Sequence, residues 1–219
     1  MENYLKLENL LPDVATEFRM LKNYIFLLLN STESSKSILI ASSIHGEGTS
    51  TVTKNLSQVI AEDLRLKVML MDLNFRSSSK KFIRREEKGL SDWFLENSLP
   101  LKSIIKQTIV QNLCVLPSGN AECDPLSVQE SKKFSGMMNE LKKEFSYIII
   151  DSSPLQYYPE SNLLATKVDG VLLVVQAEKT RREIVIDTKT KLNSINANIL
   201  GVVLNRKKYF IPKTIYNHL

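Results

Sequence analysis

The stretch SILIASSIHGEGTSTVTKNLSQVIAEDL, residues 37–64, holds three kinds of sequence in succession. SILIA is an apolar run without alternation, the pattern of a strand covered on both faces. SSIHGEG places Gly46 and Gly48 in a polar turn. Across residues 51–64, Val52, Leu56, Val59, Ile60 and Leu64 recur at helical spacing. A phosphate cradle needs inward-pointing backbone N–H groups, close approach of the main chain and the positive end of a helix dipole. The glycines permit the approach, and the helix that follows supplies the dipole.

The rest of the chain repeats the alternation of strand and helix. VMLMD (68–72), NLCVLP (112–117), YIIID (147–151), GVLLVVQ (170–176) and NILGVVLN (198–205) read as buried strands, each apolar on both faces. Helical patterns fill 126–143 and 180–195. Ahead of the first strand, Val14, Phe18, Leu21, Ile25 and Leu28 form a stripe that predicts a helix over about 13–29. Arg19 and Lys22 lie off that stripe, facing solvent or another subunit. The least regular region is 77–111, with a short helix at Ser91 to Glu96 for which Ser91 is a candidate cap. The pattern predicts one α/β domain over residues 1–219: a doubly wound, mostly parallel sheet with helices on both faces, and a flexible tail from about 207.

Composition narrows the classes. With 43% hydrophobic and 24% charged residues in 219, the chain is a globular protein rather than a disordered one. The net charge of +5 is scattered in pairs such as Lys80-Lys81, Arg84-Arg85, Lys142-Lys143, Arg181-Arg182 and Lys207-Lys208, which read as solvated helix ends. That distribution predicts no nucleic-acid partner. Cys114 and Cys123 are too few for a disulfide framework, and Cys114, inside LCVLP, reads as a buried thiol. His45 and His218 stand too far apart to suggest a shared metal site. No signal peptide opens the sequence, and YIFLLL is well short of a membrane span, so a cytoplasmic location is expected, with any membrane association through a partner.

Against the template G-x-x-x-x-G-K-[ST], Ser43 takes the first glycine position, Gly48 the second, Thr49 the lysine and Ser50 the metal-ligating hydroxyl. Taken alone the match is poor. Two acidic strand ends strengthen it, because VMLMD ends at Asp72 and YIIID at Asp151. In an open parallel sheet the ligand crevice lies beyond the carboxyl ends of the strands, so both carboxylates project towards the edge that carries the glycine turn. One hydroxyl and two carboxylates suit Mg²⁺, which takes oxygen ligands and keeps some of its waters.

With these residues in place, the sequence resembles the bacterial tyrosine kinases, the cytoplasmic kinases and kinase domains of capsule and exopolysaccharide export systems. SSIHGEGTSTVTKNLS, VMLMDLNFR and YIIIDSSP resemble their Walker A, Walker A′ and Walker B motifs. The likeness continues through LPSG (116–119), VDGVLLVV (168–175), KTRRE (179–183) and NILGVVLNR (198–206), covering roughly residues 13–206. The related septum-site and partition ATPases (the MinD and ParA type) match less well, because their signature lysine would fall on Ile44. The resemblance implies a P-loop fold, ATP or ADP with Mg²⁺ as ligands, and a nucleotide site formed by Gly46, Glu47, Gly48, Thr49, Ser50 and Thr51. Ser50, Asp72 and Asp151 would hold the metal, and the two aspartates would be catalytic in an active enzyme. It also implies an arginine at position 76 after Walker A′, an adenine contact at Asn205 and phosphoacceptor tyrosines at Tyr209 and Tyr216. The partner it implies is a membrane polysaccharide co-polymerase or adaptor, alongside homo-oligomers.

The departures from the pattern are equally specific. Thr49 replaces the lysine, Asn74 the second Walker A′ aspartate, Ser153 the first of two prolines, and His45 another proline. The oligomerisation helix, with Glu and two Arg at three-residue spacing in the family, reads Thr16, Arg19 and Lys22 here, with Glu17 displaced by one. Only Tyr209 and Tyr216 remain of the tyrosine tail. Losing a preorganised donor at developing charge costs about 3–4 kcal/mol, a factor of about 10²–10³ in rate. The expectation is a kinase-like binding module with weak or absent nucleotide binding. The alternatives are an active tyrosine kinase that uses another cation, such as Arg76, and a partition-type ATPase switch.

Overall fold

A computed structural model describes residues 10–29, 35–64, 66–76 and 87–207 of the chain. Tyr209, Tyr216, His218 and the basic pairs at 80–81 and 84–85 lie outside the described residues. The chain runs α1 (Pro12–Leu28), β1 (Lys36–Ser42), α2 (Thr49–Leu64), β2 (Val68–Asp72), α3 (Leu90–Leu95), α4 (Leu101–Ile104), β3 (Lys106–Gln107) and β4 (Leu113–Leu116). It continues through α5 (Pro125–Glu130), α6 (Lys132–Glu144), β5 (Tyr147–Asp151), α7 (Pro159–Ala165), β6 (Gly170–Gln176), α8 (Arg182–Ser194) and β7 (Ile199–Asn205).

The strands form one sheet in the order β3-β4-β2-β5-β1-β6-β7. Every pairing is parallel except that of β3 with β4. Alternate residues of the central strands enter two cores. Leu39, Met69, Ile148, Ile150 and Leu173 pack with Phe134 and Leu141 of α6, Leu164 of α7 and Leu192 of α8. Ile38, Ile40, Leu70, Ile149 and Leu172 pack with Leu56 and Ile60 of α2 and Ile25 of α1. A strand buried on both faces needs apolar residues at every position, which is why these runs lack alternation.

Several expectations change. The helix predicted over 126–143 is two helices, because the Ser131 hydroxyl accepts the Phe134 N–H and opens α6 as a separate element. Ser91 does not cap α3. Gly89 holds the cap position and the Asp92 carboxylate accepts its N–H at 2.8 Å, while Ser91 is buried. The strand β7 is apolar but not covered on both faces, since Val202 and Leu204 at this sheet edge are each 54% exposed. Lys22 faces neither solvent nor a free surface; it is buried, and its ammonium bonds Asp63 of α2 at 2.7 Å while Arg19 bonds the other carboxylate oxygen at 3.2 Å. Packing of α1 on α2 turns that side of the helix inwards. The opposite side leaves Met20, Tyr24, Leu27 and Leu28 exposed beside a groove of about 740 Å³ between α1 and β7. Among the described residues no helix is long and apolar enough to cross a membrane.

Candidate functional site

The turn from β1 to α2 is set by glycines in the left-handed region, Gly46 at φ +85° and Gly48 at φ +98°. Side chains rarely adopt that conformation, and a Cβ on Gly48 would stand 2.1 Å from the Asn205 amide nitrogen. The helix α2 begins at once, with the Thr51 and Val52 N–H groups bonded to the Gly48 carbonyl. Its first-turn N–H groups and dipole are therefore directed at the crevice beyond β1.

Glu47 anchors this turn. Its side chain points into the protein, with only 1% of the residue exposed. One carboxylate oxygen accepts the Ile44 N–H at 2.8 Å; the other accepts the Gln176 N–H at 3.3 Å and the Thr180 hydroxyl at 2.5 Å. A buried carboxylate is tolerated only with such donors. Asn205, at the end of β7, donates its amide N–H to the Glu47 carbonyl at 2.8 Å and accepts the Arg206 N–H at 2.9 Å. Both ends of this amide are engaged within the chain, where the family resemblance sets it against adenine. Arg206 reaches back over the turn, donating to the Gly46 carbonyl at 3.3 Å and to Gln176 Oε1 at 3.2 Å.

On the other side of β1, parallel pairing sets Asp72 of β2 level with Asp151 of β5. Both are buried. The Ser50 hydroxyl donates to Asp151 Oδ2 at 2.5 Å, bringing the first turn of α2 onto the strand-end carboxylates. Asp72 accepts the Asn74 N–H at 3.0 Å and the Ser118 hydroxyl at 3.2 Å. Sequence reading gave Ser118, in LPSG, no role; its position after β4 in a sheet of this order is the signal that could have found it. Ser50, Asp72 and Asp151 make an all-oxygen donor set, which fits a hard divalent cation such as Mg²⁺ that completes its sphere with water and phosphate. When bound, such an ion would neutralise phosphate charge. Asn74 and Ser153, two departures from the family pattern, touch: the Ser153 hydroxyl donates to Asn74 Oδ1 at 2.9 Å.

The rim carries another departure with its own partners. The His45 ring stacks on Tyr157 at 5.2 Å and meets the edge of Tyr158 at 5.7 Å. Arg76 lies over the Tyr158 ring and bonds the buried Glu160 carboxylate at 3.0 Å. Its guanidinium is thus tied down across the rim rather than available in the loop. Thr49 is buried, and its carbonyl accepts the Thr53 hydroxyl. Thr51 is exposed.

A mostly parallel doubly wound sheet, a glycine turn leading into a helix and two aspartates at neighbouring strand ends define the P-loop class of α/β proteins. Comparison with known proteins narrows the class. The model of an AAA domain family matches residues 35–199. The tyrosine-protein kinase CpsD of Streptococcus agalactiae is 31% identical over 179 residues, 80% of this chain and 77% of that protein. The chain belongs to this family of bacterial tyrosine kinases. Among solved structures, the chimerical protein CapA2B2 superposes with a TM-score of 0.81 at 27% identity, covering 90% of this chain and 86% of that one. The septum site-determining protein MinD of Pyrococcus horikoshii, solved with Mg-ADP, shares the fold at a TM-score of 0.62 and 23% identity, covering 84% and 76%.

Proposed function

We propose that this chain is a kinase-like phosphate-binding module that holds a nucleotide weakly and acts by docking on a membrane co-polymerase or adaptor of capsule or exopolysaccharide export. One observation carries the reading: the metal-side geometry of Ser50, Asp72 and Asp151 is assembled, while the charged groups of phosphoryl transfer are replaced by the neutral Thr49 and Asn74. Phosphoryl transfer depends on positioning and charge stabilisation, with little covalent work for the protein. Ground-state binding leans on the backbone cradle and the dipole of α2, neither of which needs a lysine. The bond from Ser153 to Asn74 supports a tailored neutral site rather than a collapsed one. The exposed apolar side of α1 and the groove beside β7 support a docking role.

The test is calorimetry of the full chain with ATP and ADP in Mg²⁺, paired with a phosphotyrosine assay. Weak binding without detectable autophosphorylation is expected, and the double variant Thr49→Lys/Asn74→Asp should bring phosphorylation into the detectable range. Strong Mg²⁺-dependent phosphorylation of Tyr209 or Tyr216 in the unaltered chain would instead establish an active kinase, the reading that the paired Asp72 and Asp151 would then favour.

A further inference from the structure

A phosphate loop without its lysine must find positive charge elsewhere or do without. Arg76, Arg206 and Lys179 are described cations beside the turn or its rim. Arg76 is bonded to Glu160 and lies over Tyr158. Arg206 is bonded to the Gly46 carbonyl and to Gln176. Lys179 differs from both: its Nζ lies 3.7 Å from the point where a Cβ on Gly46 would stand, and its ammonium has no hydrogen-bond or ion-pair partner among the described residues. Because Gly46 has no side chain, nothing of that residue intervenes between the ammonium and the turn.

We propose that Lys179 is the phosphate-binding cation of this loop, supplying from the connection between β6 and α8 the charge that Thr49 cannot. The inference rests on the reading of the turn as a phosphate cradle. The position of Lys179 is set by the chain around it. Gln176 and Thr180, on either side, both donate to the buried carboxylate of Glu47, so the loop and the connection are riveted together by one side chain. The Ala177 N–H bonds the Asn205 carbonyl at 2.9 Å, and Glu178 turns the backbone in the left-handed region at φ +62°. The Cα of Lys179 is thereby fixed against the turn, and ligand binding has only its side chain to order. A lysine ammonium is a compact point charge on a flexible stem, able to meet a phosphate without a fixed fork geometry. The ligand class is the polyphosphate of a nucleoside di- or triphosphate; inorganic tripolyphosphate presents the same charge without a base.

The full chain is titrated calorimetrically with Mg-ATP, Mg-ADP and inorganic tripolyphosphate, in the unaltered form and as Lys179→Gln, Lys179→Arg, Thr49→Lys and Lys179→Gln/Thr49→Lys. Lys189→Gln, an exposed lysine on α8, controls for general charge. Affinity for all three ligands is expected to fall about tenfold or more in Lys179→Gln, the scale of one charge-assisted phosphate bond. Lys179→Arg and Lys189→Gln should stay within about threefold, and the double variant should regain the loss by placing the charge in the loop. Equal affinity of Lys179→Gln and the unaltered chain overturns the role of Lys179; a gain in Thr49→Lys beside that result leaves the cradle reading standing. Failure of the unaltered chain to bind any of the three ligands overturns the cradle reading and this inference with it.

Discussion

The two sides of the turn after β1 are held by different kinds of contact. Towards β6 and β7, the buried Glu47 carboxylate, the Asn205 amide and the Arg206 guanidinium bond the loop backbone to the neighbouring strand ends. Towards β2 and β5, the Leu155 and Gln156 N–H groups bond the Ser42 and Ser43 carbonyls, and three side-chain pairs are added: Ser50 with Asp151, Ser118 with Asp72, Ser153 with Asn74. The first side fixes where the cradle is; the second fixes which charges face it. The difference teaches that shape and charge are separately encoded in this site. The family's charged residues at positions 49 and 74 can be replaced while the turn remains in place.

The comparison breaks most decisively at Glu47. Glu47→Ala leaves the Ile44 and Gln176 N–H groups and the Thr180 hydroxyl without their acceptor, and should lower stability by about 3 kcal/mol. Denaturant unfolding measures this, and a change below about 0.5 kcal/mol would mean that the loop is held by other contacts. A smaller effect belongs to the opposite side. Ser153→Ala removes one neutral hydrogen bond and should cost about 1 kcal/mol, with the fold of the turn retained, read by the same unfolding curves and by amide shifts confined to residues near Asn74.

The smallest effect lies away from the crevice. Asp169, just before β6, is subject to burial, which raises its pKa, yet bonds from Ser37 and Lys142 hold it below the ordinary carboxylate range. Since the folded value lies below the unfolded value of about 3.9, this group stabilises the fold fully above that pH. The contribution is lost as pH falls through the folded value. Asp63, where burial is likewise outweighed by Lys22 and Arg19, acts in the same direction. Acid titration of unfolding stability should therefore show a loss beginning below about pH 4 that Asp169→Asn reduces in part, Asp63 supplying a further share. An unchanged acid limb in that variant would place the acid sensitivity elsewhere.

Much of the fold is legible in the sequence because the central strands are buried on both faces and are apolar at nearly every position between their ends. The same rule misreads β7, whose apolar residues lie at a sheet edge that sequence order alone does not locate. The helix α7 is too short, at seven residues, to show a period, although Pro159 at its first position is a start signal. In the site, Gly46, Gly48, Ser50, Asp72 and Asp151 are local to their strand ends and could be placed from neighbouring residues. The links from Glu47 to Thr180 and from Asn74 to Ser153 span 133 and 79 residues, and depend on which strands become neighbours. No local pattern carries them. Arg19 is exposed as expected, whereas the burial of Lys22 depends on Asp63, which belongs to another helix.

The strand β5 pairs with β1 on one side and β2 on the other, so the three strand ends that bear the crevice share one set of ladder bonds. Proteins open in cooperative units, and central strands open only with the whole. Amide exchange in β1, β2 and β5 should then report global unfolding, while α1 and β7 exchange through local openings of much lower free energy. A partner that seats on α1 or β7 would slow exchange there and leave the protection at the crevice to follow the stability of the whole molecule. The geometry that holds Asp72 level with Asp151 persists for as long as the sheet does.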